Sequence, residues 1–322
     1  AELATRCAAH LADPEVLGLV ITHGTDTVEE TAFFLQSVLR PRKPVVMTCA
    51  MLPANAPEPD GPGNLRDALR WLVHAAHTPE RPSSSQTVVV LAGEVHAAHR
   101  IQKVTAQSLQ AFASGPAGPV ARVASGHVQV MDDTPAPVWA APSVDVLPPA
   151  ATWPEVRVVM SHAQADGREV RVLSQSSTPP AGWVVAATGA GSIHVQLEQA
   201  LREAEQRGAR ILRATRCVWG RADSDDGRPF EAAGGLTPKG PIANLFHAAH
   251  AADGAVMGGR VGLGLGPGRV VVHQGARLRA VHIQAFLDGV FLVVVALHQR
   301  LAGQVVLAFD LGRVEFDVVG AA

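Results

Sequence analysis

The sequence predicts an α/β protein: a doubly wound, mostly parallel sheet domain, a second and smaller α/β domain, and an atypical β-rich C-terminal tail. Strand-sized apolar runs alternate with segments of helical period from Glu2 to about residue 253. A stretch rich in Pro and Ala, holding Pro135, Pro137, Pro142, Pro148 and Pro149, interrupts that alternation with linker composition. Beyond it all, helical patterning stops and β-prone runs follow one another directly. The expected organisation is a first domain over 1–133, a linker over 134–154, a second domain over 155–253 and a tail over 254–322.

Glu2–Ala12 reads as a helix with Leu3, Cys7 and Leu11 at helical spacing, ended by Asp13-Pro14. Val16, Leu17 and Leu19 to Ile21 form a buried strand that stops at Thr22-His23-Gly24-Thr25-Asp26-Thr27. Thr27 and Glu30 have capping-box spacing, and the helix they open carries Ala32, Phe33 and Leu35 toward a core. Pro44–Met47 repeats the pattern: a strand ending in Thr48-Cys49-Ala50-Met51, a Pro-rich loop, and a helix expected to start near Asn64, a good cap. Thr87–Ala92 is a third strand, and the segment Ile101–Phe112 carries Lys103 ahead of a turn at Gly115–Pro119.

In the second domain, Val156–Met160, Trp183–Ala187 and Ile211–Ala214 are strands. A tight turn at Thr188–Ser192 leads into an amphipathic helix that Gly208 closes, and Thr237-Pro238-Lys239 opens a last helix with Pro at its first position. In the tail, Val261–Gly268 is Gly-rich, and VVVH, VFLVVVAL, VVLAF and VEFDVV are β-prone. Three readings compete: a β extension, a divergent segment that fills a gap in the sheet, or sequence that encodes no natural fold, and the clean break in patterning favours the last two over the first.

Of the 322 residues, 47% are hydrophobic and 17% charged, as in soluble folded α/β proteins. A formal charge of −2 argues against a nucleic-acid partner, which calls for a basic stripe. The three cysteines, Cys7, Cys49 and Cys217, have neither disulfide-framework nor metal-site spacing. The longest apolar runs, such as Val290–Leu297, are strand-sized, so no membrane span is expected. No leader-like segment opens the sequence, which begins at Ala1, and a cytoplasmic location is the expectation. The sequence contains no tyrosine, so it supplies no phenol to any mechanism.

Open α/β sheets bind ligands where a strand's carboxyl end turns into a helix, and Thr25-Asp26 sits at such a turn. A hydroxyl beside a carboxylate can attack a carbonyl and hold an ammonium group. On residue types alone, a solvated turn with Thr and Asp as caps is the simpler account. The His pairs His74/His77, His96/His99 and His247/His250 lack a third ligand at a fitting spacing and read as a bias of Ala-rich segments rather than metal sites. The glycines at 262, 264, 266 and 268 miss the dinucleotide-binding spacing, and no GxSxG elbow is present.

ITHGTDTVEETAFFL (21–35), PVVMTCAML (44–52) and PDGPGNLRDAL (59–69) occur in the order and spacing of the bacterial L-asparaginase/glutaminase family, which this chain resembles from about Leu3 to His250. HRIQKVTAQSLQAF sets Lys103 at the place of that family's catalytic lysine, and ATGAGSIHVQLEQA with ILRATRC resembles its second domain. The resemblance implies hydrolysis of L-asparagine, or L-glutamine, to the acid and ammonia by threonine attack, with Thr25, Asp26 and Lys103 as the catalytic group. Lysine would act as base once neutral, and Asp26 would also pair with the substrate's α-ammonium. Gly24, Ala50 and Met51 would line the substrate pocket with backbone, while Asp60 and Gly61 shape the turn before the helix. Cys49, where the family usually has Gly, reads as a small buried hydrophobe. A homotetramer, no metal and no organic cofactor are implied. The family's TGGTIA strand with its threonine, its loop tyrosine and its serine-bearing loop have no counterpart in this sequence. Because catalytic groups act as a unit, a chain that binds an amino acid or only assembles, without turnover, is the second reading.

Overall fold

A computed structural model describes residues 1–138 and 142–240 and, beyond them, three strands at 269–270, 280–285 and 291–296. The elements run α1 (Glu2–Leu11), β1 (Val16–Thr22), α2 (Val28–Leu39), β2 (Val45–Thr48), α3 (Gly61–His77), β3 (Thr87–Leu91) and β4 (Glu94–Ala97). Four short strands follow: β5 (Gln102–Lys103), β6 (Phe112–Ala113), β7 (Ala121–Ala124) and β8 (His127–Val130). Next come β9 (Val156–Met160), α4 (Arg168–Ser174), β10 (Gly182–Ala187), α5 (Val195–Gln206), β11 (Arg210–Thr215) and β12 (Glu231–Ala232). The remaining strands are β13 (Arg269–Val270), β14 (Ala280–Ala285) and β15 (Phe291–Ala296). The described residues fall into two compact units, one holding Glu2–Pro137 with β13–β15, the other running from Val138 to Gly240.

The first unit is a mixed α/β sheet in the order β13-β14-β15-β1-β2-β3-β4-β7-β8. Its centre, β1-β2-β3, is parallel and buried, which is why those strands read as unbroken apolar runs. Alternation along these strands sends Val20, Val46, Val88 and Val90 toward α3, where they pack with Ala68, Leu69, Trp71 and Leu72. Leu19, Ile21, Val45, Met47 and Val89 are left for the other face, and α1 and α2 pack against β1 and β3. Gly18 is required on the α3 side: a Cβ there would stand 2.6 Å from the Pro44 carbonyl oxygen. The outer strands are antiparallel, since β3 turns into β4 through Ala92 and Gly93, both at positive φ, a tight hairpin turn. On the other side, the Val290–Leu297 run contains β15, which pairs antiparallel with β1 from Val16↔Ala296 to Thr22↔Phe291. VVLAF, VEFDVV, most of VVVH, the 262–268 glycines and His247/His250 lie outside the described residues.

Two local expectations need correction. Thr27 stands at the N-cap of α2 but makes no side-chain capping bond, so the threonine half of the capping box does not form. The Thr27 carbonyl instead accepts from the Thr31 amide, while the neighbouring acid, Glu29, is the buried one. Asn64 is not the cap of α3; the helix begins at Gly61 with Asp60 in the cap position, and Pro62 occupies its first turn. The side chain of Asn64 faces inward instead, because two backbone groups at the strand ends need a partner there.

The second unit is a parallel sheet, β12-β11-β10-β9, with α4 and α5 packed on Val159, Trp183, Val185, Ala187 and Ile211. The Thr188–Ser192 segment is a tight turn, closed by Ser192 N–H donating to the Thr188 carbonyl at 2.8 Å. Fully buried Arg213 on β11 donates to both carboxylate oxygens of Asp226 at 3.0 Å and to the Asp223 carbonyl at 2.9 Å. Gly191 leaves room for that guanidinium, because a Cβ there, at φ +110, would sit 2.2 Å from Nη1. Lys239 and Gly240 are helical, and the rest of the helix expected from Thr237 lies outside the described residues.

Burial pushes His96 and His99 down from the ordinary 6.5 to about 4. Between those values the unfolded chain binds protons that the folded chain does not, so acid weakens the fold over that window. The urea midpoint is expected to fall between about pH 6.5 and about pH 5, where carboxylates titrate little, and His96→Gln should flatten part of that slope. A midpoint that stays level across the window counts against both histidines.

Candidate active site

The parallel register Thr22↔Thr48 brings the carboxyl ends of β1 and β2 side by side, so that 23–26 and 49–52 leave the sheet at one edge. One further backbone bond, His23 N–H to the Thr48 carbonyl at 2.9 Å, carries the pairing past the strand ends. His23 Nδ1 lies 2.8 Å from the Gly24 carbonyl. A carbonyl only accepts, so Nδ1 carries a proton, and Nε2 pairs with the Thr31 hydroxyl at 3.0 Å. The imidazole thus braces the turn from α2.

Lys103 arrives from β5, a two-residue strand paired with β6. Its Nζ donates to Thr25 Oγ1 at 2.9 Å and to Asp26 Oδ1 at 2.7 Å, so side chains 77 and 78 residues apart in sequence meet at one point. The environment is graded: the Lys103 side chain is 19% exposed and that of Asp26 92%. Hydrogen bonding and charge from Lys103 hold the Asp26 carboxyl below its usual range. An ammonium that donates to Thr25 cannot also take its proton, so a base role requires the neutral amine. Thr25 Oγ1 is also 3.5 Å from Asp26 Oδ1, a long contact that gives its proton a direction.

Gly24 is exposed, and a Cβ built on it meets nothing within 4 Å, which leaves open space above the turn. Ala50 is exposed at the end of β2. The Met51 amide is engaged inside the chain, donating to Asp60 Oδ2 at 2.9 Å, and Leu52 donates to Oδ1 at 2.9 Å. Asp60 therefore shapes the loop before α3. Asn64 donates from Nδ2 to the Cys49 carbonyl at 2.9 Å and accepts at Oδ1 from the Ala92 amide at 2.9 Å, tying the ends of β2 and β3 to α3. Cys49 is buried, and burial followed by the Asp60 charge pushes its thiol up to about 12, so it stays protonated. Among the described residues, no group of three or more His, Cys, Asp or Glu is placed to hold a metal ion.

Sequence reasoning missed Glu29 and the His23–Thr31 brace. Glu29 is 5% exposed, and its Oε1 accepts the backbone N–H of Lys103. Its signal was available, since 29, 32, 33 and 36 share one helical face and all four are buried.

In a carboxyl-detected NMR titration, Asp26 is expected to titrate below the ordinary aspartate value and to return toward it in Lys103→Met. An Asp26 value that does not move in that variant would show that the ion pair is not formed.

The family model described as "Asparaginase, N-terminal" matches residues 1–136, and that described as "Glutaminase/Asparaginase C-terminal domain" matches residues 155–252. The chain is 31% identical to L-asparaginase 2 of Escherichia coli (strain K12) over 69% of this chain and 63% of that one. It is 30% identical to glutaminase-asparaginase of Pseudomonas fluorescens biotype A over 65% and 56% of the two chains. The crystal structure of a probable cytoplasmic L-asparaginase from Campylobacter jejuni aligns with a TM-score of 0.66 and 28% identity, covering 77% of this chain and 78% of that one. The chain spans less than two thirds of the length of the curated relatives it matches. With both halves matched in order and the fold shared, the chain belongs to the L-asparaginase/glutaminase family.

Proposed function

We propose that this chain is an amidohydrolase that converts the side-chain amide of L-asparagine, or the longer L-glutamine, to the acid and ammonia. The observation that carries the reading is the convergence of Lys103, Thr25 and Asp26 at an open strand end. The neutral Lys103 amine takes the Thr25 hydroxyl proton as Oγ1 bonds to the carboxamide carbon, and the carbonyl electrons move to oxygen. The resulting ammonium returns the proton to the nitrogen as the C–N bond breaks, ammonia leaves, and the ester on Thr25 is then hydrolysed by water. Exposed Asp26 accepts hydrogen bonds from the substrate's α-ammonium alongside Lys103. Backbone at Gly24, Ala50 and Met51 forms the surrounding wall. In the same reading, 1–133 is the catalytic domain, 155–253 the second domain, and the chain self-associates.

A second reading is supported by Lys103 Nζ donating its hydrogen bond to Thr25, where a base would accept one: the chain binds the amino acid without turnover. Purified protein is expected to release ammonia from L-asparagine, with kcat lowered ~10³-fold or more in Thr25→Ala and in Lys103→Met. Calorimetric binding of L-aspartate with no ammonia release from L-asparagine would favour the second reading instead.

A further inference from the structure

We propose that Glu29 is a positioning residue that holds Lys103 in place against Thr25 and Asp26. This inference rests on the reading of Lys103 as the base. Lys103 is held at both ends by one short segment: its Nζ donates to Thr25 and Asp26, and its backbone N–H donates to Glu29 Oε1. Its own framework is slight, since β5 and β6 pair over two residues and the hairpin stands apart from the nine-stranded sheet. Across that hairpin, Val104 and Thr105 N–H also donate to the Ala111 carbonyl, at 2.7 and 3.3 Å. The bond from Glu29 therefore joins a weak hairpin to α2, the helix that begins directly after the Thr25-Asp26 turn.

A buried carboxylate is costly, and two features offset the cost at this position. Glu29 lies in the first turn of α2, where the helix dipole favours negative charge. It also accepts a backbone donor that would otherwise need another partner. An amide oxygen can accept the same bond, so the need is for an acceptor at this position rather than for a charge. A flexible four-carbon side chain anchored at its α-carbon swings through fewer positions, and small misplacements of a reacting group lower rates steeply.

The test reads the tether separately from catalysis. By hydrogen exchange, the Lys103 amide of the unaltered protein is expected to exchange ~100-fold more slowly than the exposed amides of the 106–109 loop. Protection should persist in Glu29→Gln and drop ~10-fold or more in Glu29→Ala and in the better-filling Glu29→Met. In ammonia release, Glu29→Gln should keep kcat within about threefold, while Glu29→Ala and Glu29→Met should lose ~10–100-fold in kcat with KM little changed. A Lys103 amide that exchanges like the loop, in the unaltered protein or in Glu29→Gln, overturns the tether even if the apolar variants fail to fold. An unaltered protein that protects this amide yet releases no ammonia keeps the tether and overturns only the reading of Lys103 as base.

Discussion

The parallel register of β1 on β2 is the constraint on which the rest of the site depends. It aligns Thr22 with Thr48 and so delivers two chain reversals to one edge of the sheet. A slip by one residue would turn every side chain of β1 to the opposite face and bring Gly18 away from Pro44, which only a residue without a Cβ can approach. Beyond the strand ends the alignment is kept by side chains. Asn64 ties Cys49 to Ala92, Asp60 gathers the amides of Met51 and Leu52, and the Thr48 hydroxyl reaches the Val90 carbonyl at 2.8 Å.

On that platform the site is assembled from one continuous segment and one distant residue. Residues 23–31 provide the hydroxyl, the exposed carboxylate, the bracing imidazole and the buried Glu29, while Lys103 enters from a small hairpin. The polar groups are ordered by depth. Asp26 is in solvent and able to meet a ligand, Lys103 is mostly covered, and Glu29 is buried. An exposed ion pair contributes little to stability, so the Lys103–Asp26 contact is better understood as setting geometry and charge than as holding the fold.

The second unit uses the same economy of polar contacts for a structural end. Arg213 is buried on β11, yet its donors are spread over Asp226 and the backbone of the loop around Asp223, and its place beside Gly191 leaves no room for a larger residue in the turn. Breaking such a pair from one side is costly, because a buried charge then loses its partner.

The sequence by itself determined the alternation of strands and helices, the apolar centre of both sheets and the polar strand end at Thr25-Asp26, because these follow from periodicity and from local turn chemistry. Family resemblance added Lys103, whereas the burial of Glu29 emerged only from the fold. What only the tertiary structure decided was partnership. Asn64 looked like a cap because Asn favours that position locally, but the unmet backbone groups at Cys49 and Ala92 outweigh that preference. Thr27 and Glu30 had the spacing of a capping box, while Thr31 was drawn to His23 and Glu29 to Lys103. Hydrogen bonds between residues tens of positions apart leave no periodic trace in a chain, and they arise only when the fold brings the groups into contact.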